Sequence, residues 1–210
     1  DFLVLVLARQ IEESAPPEAM QAQAVAARTN LYKTMEETQC NQAEDLGIEY
    51  DSLSFLRELW GEDFSKIYQS YEEAVSATAG EVLTYNGQMI DALFHKASAD
   101  NTRNMGEEYP WLASVESDDQ LCDGYLTIVD FSPEKLVEAV NAIDGARQVS
   151  EEGIGSKIQI INRADGPYVT AVQIDQQIFS GEEIARALQL GSTAFSFEAG
   201  SERIRVISNG

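Results

Sequence analysis

The stretch that most constrains this chain is Pro16-Pro17 followed by Glu18-Ala19-Met20-Gln21-Ala22-Gln23-Ala24-Val25-Ala26-Ala27-Arg28-Thr29-Asn30-Leu31-Tyr32. Met20, Ala24, Ala27, Leu31 and Met35 recur at helical spacing and define one apolar stripe. A proline in the first turn loses no internal hydrogen bond, so a helix can open at Pro17. The alanines favour helix and let another element approach closely. The spacing predicts a buried helix over residues 17–37, and Arg28 near its middle is the anomaly. A guanidinium keeps its charge, so a buried one needs a carboxylate or a polar site to face. The alternative is an arginine that snorkels from a half-buried helix.

The chain has 210 residues, enough for one domain with a core of its own. A hydrophobic fraction of 44% with 24% charged residues is that of a globular protein rather than a disordered one. The formal net charge of −22 argues against nucleic acid, whose binding needs Lys and Arg on phosphates, and against an anionic membrane surface. A neutral glycan is compatible with it. The longest apolar run, Phe2 to Ala8, is far shorter than the ~20 residues of a spanning helix. A signal or anchor upstream of Asp1 remains compatible with the sequence. Cys40 and Cys122 fit either one disulfide or two free thiols.

Leu3, Leu7 and Ile11 predict a helix over 1–11, with a polar turn at Glu12-Glu13-Ser14-Ala15 before the helix of 17–37. Glu36 and Glu37 at the wrong pole of that helix predict fraying or a turn. A loop follows over 38–50, then a helix over 52–60 capped by Asp51 and stopped by Gly61. Phe64, Ile67, Tyr68, Tyr71, Val75 and Ala79 form one face of a further helix, ended by Gly80. Asn86-Gly87 between two apolar runs predicts a hairpin over 82–95. A strand over 124–131 and a helix from Ser132-Pro133 to about Ile143 come next. Strands at about 157–163 and 168–174 flank a turn at Asp165-Gly166-Pro167. A short capped helix over 180–188 follows, and 194–199 pairs with 203–208. The class is α+β: a helical N-terminal part packed on antiparallel strands, as one compact domain over 1–210. Within it, 1–80 is mainly helical, 81–120 carries the hairpin and a groove loop, and 121–210 is an α/β subdomain.

The run Glu18 to Thr29 resembles the N-terminal hallmark E-A-L-K-A-Q-A-V-A-A-R-T-Y of the stage II sporulation protein D (SpoIID) family, which includes the LytB-type amidase enhancers. Thr78-Ala79-Gly80, Tyr85, Gly87, Phe94-His95 and Ser98 resemble the same family's T-x-G and V-L-T-Y-x-G-x-x-I-x-A-x-F-H-x-x-S patterns. The usual S-G-G-x-T-E is represented by Ser98 to Arg103, with both glycines and the acid replaced. Tyr109 to Val115 and Gly181 to Phe195 also resemble family segments. The resemblance covers almost the whole chain and is strongest over 1–32 and 75–115.

What the resemblance implies is bacterial peptidoglycan work in the cell envelope or at the forespore engulfment membrane: lytic transglycosylase cleavage of glycan strands, or activation of a wall amidase. A carboxylic acid of raised pKa delivers a proton to the leaving glycosidic oxygen. One such residue suffices when the sugar's own 6-hydroxyl is the nucleophile, unlike hydrolases that need two carboxylates. The family's Glu stands eight residues before the helix motif's own Glu, and here that position is Gln10, while the motif's Lys is Gln21. An amide has no proton to give, though it can hydrogen-bond a sugar. Three readings stay open: a binding-only relative, a deliberate replacement that traps substrate, or a chain in which Glu12 or Glu13 supplies the proton.

The same resemblance makes Gln21, Arg28, Tyr85, His95 and Ser98 the substrate-binding candidates, with Arg28 and His95 expected to face Gln10. Tyr85, Tyr109 and Trp111 offer rings either to sugar faces or to the core. No cofactor is expected. A metal is not expected either, because one His and two remote Cys lack the clustered spacing zinc requires.

Overall fold

The computed structural model describes residues 2–40, 42, 45–200 and 202–209. Asp1, the first residue of the helix expected over 1–11, lies outside them. The chain divides into two compact units, Asp1–Phe94 and His95–Gly210. Helices dominate the first and antiparallel strands the second, so the α+β class holds.

In the first unit, α1 (Phe2–Gln10), α2 (Pro17–Thr38), α3 (Leu53–Trp60) and α4 (Phe64–Ala77) build one apolar core. Val4 and Leu7 of α1 meet Met20 and Ala24 of α2, Leu56 and Trp60 of α3, and Tyr71 and Ala74 of α4. The α2 stripe is buried as its spacing predicts, apart from half-buried Met35. Trp60 stacks on Tyr71 with ring centroids 5.6 Å apart. The Tyr71 hydroxyl donates to the Ile11 carbonyl at 2.7 Å, and burial pushes this phenol above its ordinary range. The helix α2 ends with Gln39 in the left-handed region at φ 54°.

Two local expectations are corrected. Ser52, not Asp51, caps α3: its hydroxyl accepts from the Phe55 amide. The Asp51 carboxylate is instead engaged by Arg9 of α1. The hairpin at Asn86-Gly87 forms, but only as β1 (Thr84–Tyr85) and β2 (Gln88–Met89), not through His95. The second arm stops because Asn30 of α2 takes over the backbone of Ala92, accepting from its amide at 2.8 Å and donating to its carbonyl at 2.9 Å. Those are the groups a longer ladder would have paired.

In the second unit, β3 (Leu126–Phe131), β8 (Ile204–Asn209) and β7 (Phe195–Ala199) form one antiparallel sheet in the order β3-β8-β7. The other consists of β4 (Ile158–Ala164), β5 (Tyr168–Ile174) and β6 (Gln177–Ser180). The strand β6 is not foreseen in the sequence. It returns from β5 through Asp175-Gln176, with Asp175 at φ 55°. Helices α5 (Pro133–Asn141) and α6 (Gly181–Ala187) supply Leu136, Val140, Ile184 and Ala185 to a core shared with Val172, Ile174, Phe179, Phe195, Ile204 and Val206. Ser132 and Ser180 cap these helices, the second with Glu183 in a reciprocal capping box.

The start of α6 is tightly specified. A side-chain carbon on Gly181 would fall inside the van der Waals envelope of the Val169 carbonyl in β5, so only glycine lets this helix begin so near the sheet. Gly181→Ala is therefore expected to cost about 1–3 kcal/mol through overpacking, read as a lower urea midpoint at unchanged slope. Glu183 answers both Arg147 and the Ser180 amide. The Arg147 hydrogen bond, then the Ser180 amide, lower its carboxyl from the ordinary 4.5 to about 2. A depressed carboxylate stabilises fully above the unfolded value and loses that contribution as pH falls through the folded one. Stability should thus decline between about pH 4.5 and pH 2, and Glu183→Gln should flatten that part of the profile in pH-resolved denaturation.

Candidate functional site

The sequence-derived candidates fall in two groups. Gln10, Glu12, Gln21, Arg28 and Tyr85 belong to the first unit, and His95 and Ser98 to the second. Each group is described within its own unit.

Gln10 is the last residue of α1 and is half-buried. Its carboxamide oxygen accepts a hydrogen bond from the Gln23 carboxamide nitrogen of α2 at 2.8 Å. Residue 10 is thereby coupled to the helix that carries the signature motif. Gln23 escaped the sequence reading as a site residue, although it stands inside that motif. Gln21 is half-buried on α2, and Glu12 and Glu13 are exposed in the turn between the two helices.

Arg28 is buried, at 3% exposure, and its partners are neither a carboxylate nor Gln10. Its guanidinium donates to the carbonyls of Thr78 (2.7 Å), Val75 (2.8 Å) and Glu81 (3.1 Å), and to the Thr78 hydroxyl (3.2 Å). These acceptors lie at and just beyond the C-terminus of α4, where a helix leaves its last carbonyls unpaired and carries partial negative charge. The next two residues extend the same clasp. Thr29 accepts from the Leu83 amide at 2.9 Å, and Asn30 holds Ala92 on both backbone groups. Arg28 thus secures the end of α4 and the approach to the hairpin, in place of the expected orientation towards Gln10. Tyr85, on β1, is exposed.

In the second unit His95 is exposed and Ser98 is buried. The Ser98 amide and hydroxyl both donate to one carboxylate oxygen of Asp119, at 2.8 and 2.9 Å, and Ser117 adds a third hydrogen bond, from its hydroxyl, at 2.8 Å. Burial alone pushes the Asp119 carboxyl up. The bonds from Ser117 and Ser98, with the favourable charge of His95, outweigh it and hold the carboxyl below its ordinary range. Ser98 is therefore a loop anchor, and Asp119 is a second residue, after Gln23, that sequence reasoning missed. The sequence does not mark it, because Ser98, the residue that it anchors, lies 21 positions away.

Asp100, at φ 67°, plays a similar part nearby by accepting from Gln120 and the Tyr125 hydroxyl. Tyr109 and Trp111 meet edge to face with centroids 5.7 Å apart and are half-buried. Cys40 and Cys122 are free thiols. Among the described residues no group of three His, Cys, Asp or Glu side chains is gathered as a metal site.

These features define a class: an α+β protein in which an alanine-rich helix holds the end of α4 and the flanks of the following hairpin through an Arg-Thr-Asn triplet and bonds a polar residue at the end of α1. A family model described as stage II sporulation protein (SpoIID) matches residues 1–85. The chain is 27% identical over 225 residues to stage II sporulation protein D of Bacillus subtilis (strain 168), and 27% identical over 224 residues to that of Bacillus amyloliquefaciens. Each alignment covers 100% of this chain and 63% of the relative, so the chain spans somewhat under two thirds of the length of the curated relatives it matches. These matches support assigning the chain to the stage II sporulation protein D family, to which it is similar along its whole length.

The Arg28 geometry yields a test that separates clasp from ligand contact. Arg28→Met removes four hydrogen bonds from the α4 end and the residues beyond it and should cost about 2 kcal/mol or more, read by chemical denaturation. A ligand-binding arginine would instead leave the denaturation midpoint unchanged and weaken only binding.

Proposed function

We propose that this chain recognises the glycan strands of bacterial peptidoglycan during sporulation, on the outer side of the cytoplasmic membrane, with the cleavage machinery of a lytic transglycosylase that lacks its proton donor. The observation that carries this reading is the seating of Gln10. The position that the family resemblance assigns to the acid is half-buried, fixed to the signature helix through Gln23, and occupied by an amide. A formal net charge of −22 is compatible with a neutral polysaccharide.

In the family chemistry, an acid at position 10 protonates the glycosidic oxygen as the bond to the anomeric carbon breaks. The 6-hydroxyl of the same sugar then closes on that carbon and returns its proton to the carboxylate, leaving a 1,6-anhydro end. Gln10 can hold the glycan by hydrogen bonding, but it has no proton to deliver at working pH. Because the acid is missing, a second reading has specific support: the chain binds glycan and acts through a wall amidase without cleaving strands itself.

Mass spectrometry of purified glycan strands, digested with the natural chain and with Gln10→Glu, decides between these readings. The expected result is little 1,6-anhydro product from the natural chain and a gain of up to ~10²–10⁴-fold from Gln10→Glu. Abundant product from the natural chain would move the proton donor to Glu12 or Glu13. No product from either form, with binding retained, would leave recognition and remove cleavage. No binding and no product would overturn the glycan reading.

A further inference from the structure

The bond between Gln10 and Gln23 specifies more than proximity. A carboxamide has one oxygen and one nitrogen on a planar carbon, so engaging the oxygen determines where the nitrogen points. Gln23 donates to the Gln10 oxygen at 2.8 Å. The Gln10 nitrogen has no protein partner among the described residues. Cohesion between α1 and α2 does not call for this polar contact, since Val4, Leu7, Met20 and Ala24 already pack the two helices together.

From this geometry we infer that Gln23 is a positioning residue: by occupying the carboxamide oxygen of Gln10 it presents the Gln10 nitrogen as a hydrogen-bond donor to a neutral acceptor oxygen of the bound sugar. This inference rests on the glycan reading above and deepens it, because it names the group that the site takes. The residue at position 10 then serves as a donor that cannot transfer its proton. The same contact has a consequence for an acid at that position. A neutral N–H donor stabilises a carboxylate over a carboxylic acid, so Gln23 would hold such a carboxyl down and keep part of it ionised.

Two measurements test the inference. In the first, calorimetry compares binding of glycan strands freed of stem peptides by the natural chain, Gln23→Glu and Gln23→Met. Gln23→Glu reverses the polarity of the pair: it can accept from the Gln10 nitrogen and withdraw that donor from the ligand. The expected result is about a tenfold loss of affinity for Gln23→Glu, with a smaller loss for Gln23→Met. Equal binding by Gln23→Glu and the natural chain would show that the contact merely ties two helices together, and would overturn the inference.

The second measurement follows by carbon-13 NMR the titration of the carboxyl introduced by Gln10→Glu, with and without Gln23→Met. Both forms share the neighbouring Glu12 and Glu13, so the difference isolates Gln23. Adding Gln23→Met should raise the midpoint by about one pH unit, and an unchanged midpoint would overturn the inference. If the natural chain binds no glycan, the glycan reading falls, while this titration still decides whether Gln23 orients position 10.

Discussion

A guanidinium buried without a carboxylate is the constraint on which the first unit depends. Arg28 is neutralised in no ordinary sense: its charge is met by three main-chain carbonyls and one hydroxyl around the end of α4. Such an arrangement works because the carbonyls around a helix C-terminus have acceptor capacity to spare, and because the helix dipole puts negative potential there. One side chain therefore satisfies the end of one helix from the middle of another. The alanines around it are what let the two helices come close enough for it to reach.

The clasp also orders the hairpin and the segment beyond it. Thr29 and Asn30 continue it along the chain, so that three consecutive side chains of α2 hold the end of α4 and the two flanks of the hairpin. The first unit ends two residues after Ala92, and the chain there is held by the Asn30 side chain rather than by a strand ladder. In the second unit the corresponding work falls to carboxylates. Asp119 gathers Ser98 and Ser117, and Asp100 gathers Gln120 and Tyr125, so an irregular segment is held by side-chain nodes instead of regular pairing. An acidic composition suits this, because a carboxylate can accept from several donors at once.

Much of the fold is legible from sequence because burial and period agree there. The α2 stripe, the Asn86-Gly87 turn and the Ser132-Pro133 and Ser180-Gly181 helix starts each combine an apolar pattern with a residue whose local chemistry points the same way. The differences arise where a distant side chain competes with local propensity. Asn30 shortens the hairpin, and Arg9 draws the Asp51 carboxylate away while Ser52 caps α3. The strand β6 is too short to announce itself by alternation. The candidate site follows the same division. Gln10 is identifiable by its place relative to the motif helix. Gln23 and Asp119 are not, because their significance lies in partners 13 and 21 positions away. Arg28 is conspicuous in the sequence for being buried, but only the acceptors around it reveal its task.

The clasp distributes its chemical demands unevenly between its two sides. On α2 it requires a guanidinium, a hydroxyl and a carboxamide in successive positions, each of a particular length and donor pattern. On the receiving segment it requires mostly backbone, which every residue type supplies. The clasp alone therefore asks for no particular side chain at Val75, Glu81, Leu83 or Ala92, provided the chain keeps its path, while the Arg-Thr-Asn triplet admits almost no exchange. The recognisable letters of the two sides therefore answer to different demands: those of α2 to the donors that the clasp needs, and Gly80 and Gly87 opposite to the left-handed turns, at φ 80° and 81°, that bring the backbone to it.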